Sequence, residues 1–111
     1  MKISTTTPDD ARWIQTVTVK PNTNYRVSGW IKTQNVVPEN ANSGSAGANL
    51  SIYGTWTHSP GLLGTQNWTY VTVDFNSGNS SQAQIAVRLG YWSDTVTGTA
   101  WYDDVKIDQL N

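Results

Sequence analysis

Residues 24–33 read NYRVSGWIKT, and their side chains sort by parity. Tyr25, Val27, Gly29 and Ile31 fall on one side; Arg26, Ser28, Trp30 and Lys32 fall on the other. A period of two is the mark of a β-strand with one face on a core and one toward water. The wet side holds a tryptophan between two cations and a hydroxyl. That combination suits a flat, polar ligand better than it suits bulk solvent.

The same period recurs along the chain. Lys2 to Thr7 reads as a first strand closed by Pro8-Asp9-Asp10, and Trp13 to Lys20 as a second, turning at Pro21-Asn22 into the strand above. Residues 34–47 form a long polar loop without periodicity. Later strands are expected at 48–56, 68–75, 82–91 and 99–109, with Leu50 and Ile52, Val71 and Val73, and Ile85, Val87 and Leu89 facing inward. About seven short strands with no helical period predict an all-β fold, an antiparallel β-sandwich or jelly roll of seven to eight strands. An eight-stranded jelly roll needs one strand more than the pattern displays.

The chain has 111 residues, enough for one domain spanning 1–111 with its own core. A net charge of −1 with 14% charged residues gives no basic footprint for nucleic acid and no polybasic membrane patch. No apolar run reaches a transmembrane length, and Met1 is followed by KISTTT rather than by the apolar core of a secretory signal. Without cysteine there is no disulfide, thiolate metal site or cysteine nucleophile. Six tryptophans against one phenylalanine and one methionine is an excess that a core alone does not explain.

Five stretches in order, WIQTVTVKPNTNYRVSGWIKT, GANLSIYGTW, GTQNWTYVTVDF, IAVRLGYWS and GTAWYDDVKI, resemble the carbohydrate-binding modules of the family 4, 9, 16 and 22 type. The resemblance covers nearly the whole chain. It implies a jelly roll that binds plant or microbial polysaccharide and accompanies a secreted glycoside hydrolase. Modules of this type open with an Asn-Pro-Gly-Phe-Glu-like segment supplying a first strand and an acidic calcium ligand. Here the match begins after it, so one sheet edge is expected to lack its strand and to invite pairing with another chain.

The candidate sugar-binding residues follow from parity, loop position and this resemblance. Trp30 lies on the wet parity of its strand. Arg88 and Gln84 share the outer parity of theirs, as Tyr53 and Ser51 do, so these residues would make one polar-aromatic platform if their strands join the sheet of Trp30. Trp92, after the 82–91 strand, and Trp56, beside a Gly/Pro loop, are rim candidates for stacking. Trp13 lies on the face or at the sheet edge, with Gln15 as its hydrogen-bonding companion. Trp68 and Tyr25 are expected in the core, and Trp101 is ambiguous. An Asp at the position of Asp103 or Asp104 binds a structural calcium in the resembling modules, although calcium takes six to eight oxygens. Neighbours on a strand point apart, so these two cannot be a glycosidase pair, whose carboxyls face one bond about 5–10 Å apart.

These features lead to a non-catalytic carbohydrate-binding module, extracellular or at the cell surface, with a β-1,4-glucan, mannan or xylan as ligand. An exposed site of this kind would bind in the micromolar to millimolar range, roughly −4 to −8 kcal/mol. The alternative is a structural β-sandwich unit, such as a surface-filament subunit, completed by a neighbour's strand. An enzyme is disfavoured: His58 is the lone histidine, and no nucleophile motif is present.

Overall fold

The computed structural model describes residues 2–9, 11–38, 47–55, 57–90 and 96–110. They form seven strands: β1 (Lys2–Asp9), β2 (Ala11–Thr18), β3 (Asn24–Pro38), β4 (Ala48–Ile52), β5 (Gly64–Asn76), β6 (Gln82–Leu89) and β7 (Val96–Gln109). No helix occurs among the described residues. One sheet has four strands in the order β1-β7-β3-β5, the other three in the order β2-β6-β4, and all pairings are antiparallel. The fold is a β-sandwich.

Its connections wind as in a jelly roll, with β1, β3, β5 and β7 in one sheet and β2, β4 and β6 in the other. The strand that the sequence did not display has a counterpart in the 57–62 segment. It runs along the outer edge of β4 through bridges Ser51↔His58 and Ala48↔Leu62. Backbone bonds from Ser59 N–H to Leu50 C=O (2.7 Å) and between Ala48 and Leu62 (3.0 Å each way) hold it there. Pro60 has no N–H to give a regular ladder, which keeps the pairing to isolated bridges and hides the strand from periodicity.

The core is the sum of the inward parities. Val27, Ile31, Val71, Val73 and Ala100 of the four-stranded sheet meet Leu50, Ile52, Val87 and Leu89 of the other, all buried. Burying each such side chain stabilises by about 1.5–3 kcal/mol.

β3 runs five residues past the end expected for it at Thr33. Its pairing with β7 shifts register between Gln34 and Val37. Asn35 there takes a positive φ of 54°, so Val36 turns inward and is buried. Opposite it, Gly98 has φ +131°, and a Cβ would lie 2.5 Å from the Asn35 carbonyl oxygen. A one-residue bulge that resets the parity is why the alternation in the sequence stops at Thr33 while the strand does not.

The sheets are also tied by a polar bond. Tyr102, buried in β7, donates its hydroxyl proton to the Arg88 carbonyl of β6. Burial pushes the Tyr102 phenol well above its ordinary range, so it stays a neutral donor. Tyr102→Phe removes that donor and leaves the carbonyl buried. It is expected to lower the unfolding free energy by about 1–3 kcal/mol in urea titration; an unchanged midpoint would show that the crossing bond contributes nothing.

Candidate functional site

The outward parities of β2, β6 and β4 make one surface. Register places Arg12, Arg88 and Asn49 in one row across it and Ile14, Ala86 and Ser51 in the next. Thr16 pairs with Gln84, whose carbonyl accepts the Tyr53 N–H at 2.8 Å. Two long side chains meet on this face. The Arg12 guanidinium carbon lies 5.0 Å from the centre of the Tyr53 ring, and Arg12 Nη2 donates to the Tyr53 hydroxyl at 3.3 Å. Arg88 is fully buried, its guanidinium carbon 6.0 Å from the same ring. Both guanidiniums therefore lie within reach of the ring, a contact worth about 0.5–2 kcal/mol.

A cleft of about 610 Å³ opens beside this cluster, lined by Thr16, Tyr53, Gln84, Thr55, Asn79 and Ser80 among others. Its volume falls in the range of small-ligand sites. Its walls offer amides, hydroxyls and an aromatic ring, which can orient and hydrogen-bond a sugar. The described strands of this sheet contain no carboxylate. Asn49 donates to the carbonyls of Gly47 (3.0 Å) and Gly90 (3.1 Å). Among the described residues its Oδ1, like Ser51 Oγ, is buried without a hydrogen-bond partner.

The sequence-predicted residues separate into three places. Arg88, Gln84 and Tyr53 come together on the three-stranded sheet. Trp30 does not join them, because β3 belongs to the other sheet; the single platform is corrected to two opposite faces. Arg88 and Ser51 are also not wet: both are fully buried. Trp13 and Gln15 share the inner parity of β2 with Val17. As β2 is a sheet edge, Trp13 remains 61% exposed, lining a groove of about 590 Å³ with Val87, Tyr102 and Ile107 among others. Trp56 and Trp92 lie outside the described residues. Tyr25 is buried as expected, but Trp68 is 42% exposed: it has the outward parity of Tyr70, which corrects its placement in the core. Arg12 was missed, although Thr16 and Thr18 on its parity already marked that side of β2 as outward.

Asp103 Oδ1 accepts the Asp104 N–H at 2.8 Å, both residues are exposed, and Asp104 has a positive φ of 51°. Among the described residues no three carboxylates or other metal-ligating side chains gather.

No family model matches the chain. Over 99 residues, 89% of its length, the chain is 30% identical to part of Exochitinase 1 of Streptomyces olivaceoviridis. It spans 14% of that protein.

Proposed function

We propose that this domain is a non-catalytic carbohydrate-binding module that takes a β-1,4-linked polysaccharide on the three-stranded sheet. The observation that carries the proposal is the Tyr53 ring, contacted by Arg12 and Arg88, beside the polar cleft at Gln84. An aromatic ring covers the C–H face of a pyranose, and amides and guanidinium donors take its equatorial hydroxyls. These groups hold a sugar but supply no acid to a leaving group. The similarity to a short part of an exochitinase supports an accessory module in a larger secreted glycoside hydrolase, and it adds chitin to glucan, mannan and xylan as ligand. Trp56 and Trp92, which follow β4 and β6 in the chain, belong to the proposal as further stacking residues. Such a module acts by raising the effective concentration of its enzyme at the substrate.

Affinity electrophoresis against soluble xylan, glucomannan, mixed-linkage glucan and glycol chitin tests this. Retardation by at least one polymer is expected, and Tyr53→Ala and Arg12→Ala should each weaken it about tenfold, equivalent to about 1.4 kcal/mol. Migration unaffected by every polymer would refute the proposal.

The two aspartates do not gather the oxygens that calcium needs, so retardation and melting temperature are expected to match in excess calcium and in EDTA. A rise of several degrees with calcium would instead place a structural ion in the domain.

One observation favours a second role, assembly. The groove between β2 and β7 has an apolar floor, and β1 pairs with β7 only as far as Trp101. The edge from Asp103 onward therefore has no strand against it among the described residues. A second copy could supply one. Light scattering over a concentration series would then show growth in mass, and a constant monomer mass would exclude this role.

A further inference from the structure

The outward face of the four-stranded sheet, on the far side of the sandwich from Tyr53, has a distinct composition. Trp30 of β3 pairs with Tyr70 of β5, their ring centres 5.2 Å apart and tilted by 53°. Trp68 lies two residues before Tyr70 on the same parity. These three rings are 40%, 50% and 42% exposed, and Tyr70 and Trp68 stand on β5, the edge strand of the sheet. In the next strand Trp101 stands between two ammonium groups, with Lys2 at 5.8 Å and Lys32 at 5.6 Å from its ring.

The rest of this parity across β3 as far as Gln34, β5 and the paired part of β7 is polar: Arg26, Thr72, Asp74, Asp103 and Lys106, with Ser28 buried among them. As far as Gln34 it carries no leucine, isoleucine, valine or methionine; Val37, 55% exposed, lies past the bulge at Asn35. A lipid surface would draw on those side chains, and the core of a protein interface is depleted of charge, whereas this face sets its aromatic rings among charged and hydrogen-bonding groups. Its charges have mixed sign. Arg26 and Asp74 neutralise each other through a two-pronged pair of 2.7 and 3.0 Å, and Asp103 sits opposite Trp30. Such a border does not select a polyanion. It complements a neutral, polyhydroxylated, flat partner.

Resting on the carbohydrate-binding assignment above, we infer that Trp30, Tyr70 and Trp68 form a second glycan-binding surface. It takes the flat, ordered face of an insoluble β-1,4-glycan, whereas the Tyr53 cleft takes single soluble chains. The difference is one of shape: a pleated sheet exposing three neighbouring rings offers a ledge without walls, and a ledge fits a particle surface.

The test is depletion binding to chitin and cellulose particles alongside calorimetry with chitohexaose and cellohexaose. Combining Trp30→Ala, Trp68→Ala and Tyr70→Ala is expected to weaken particle binding at least about tenfold and to leave hexasaccharide affinity within about twofold. Tyr53→Ala should lose the hexasaccharide. Trp30→Phe keeps a ring and should retain most particle binding. Amide shifts in wild-type protein, confined to β3 and β5 on addition of cellulose nanocrystals, would support the surface without any substitution. Particle binding of the triple variant equal to wild type would overturn this inference while leaving the cleft intact. A wild-type protein that binds neither particles nor soluble glycans would overturn the carbohydrate assignment together with it.

Discussion

Residue 88 is where the two halves of this molecule meet. Its carbonyl accepts the Tyr102 hydroxyl from the opposite sheet, and its guanidinium lies fully buried on the outward side of its own sheet. A guanidinium keeps its charge at any ordinary pH, and an uncompensated buried charge costs several kcal/mol. Its surroundings must therefore be arranged for it. The Tyr53 ring is part of that arrangement, and Tyr53 is held in turn by Arg12 from across the sheet. Packing of the candidate site and closure of the sandwich thus depend on the same short strand.

The parities of β3, β5 and β6 were legible because period two is imposed by backbone geometry and survives whatever packs around it. What alternation cannot say is which sheet a strand joins. Trp30 and Tyr53 both read as outward, and both are, but on opposite surfaces of the sandwich. Nor does parity report how far the partner sheet extends. Trp13 has the parity of the core and is exposed, since β2 is the edge strand of its sheet. Trp68 was misread for a related reason: it starts a run of apolar inward residues, but its own parity is that of Tyr70. The 57–62 segment and the extension of β3 were illegible because Pro60 in one and the Asn35–Gly98 bulge in the other break the period at those places.

The two surfaces differ in how they can change. Around Tyr53 the polar groups are interlocked and partly buried, so a substitution there acts on stability as well as on binding. On the four-stranded sheet the inward residues build the core without charge, and the outward residues stand on a ladder that the core already secures. Exposed positions of that kind tolerate substitution within about 0.5 kcal/mol. Keeping bare tryptophans there, with no aliphatic side chain among them, is therefore not something folding requires. It is also unfavourable for solubility, because exposed aromatic clusters promote association. Stability accounts for the inward half of NYRVSGWIKT; the outward half, with Trp30 at its centre, is where the proposed glycan surface lies.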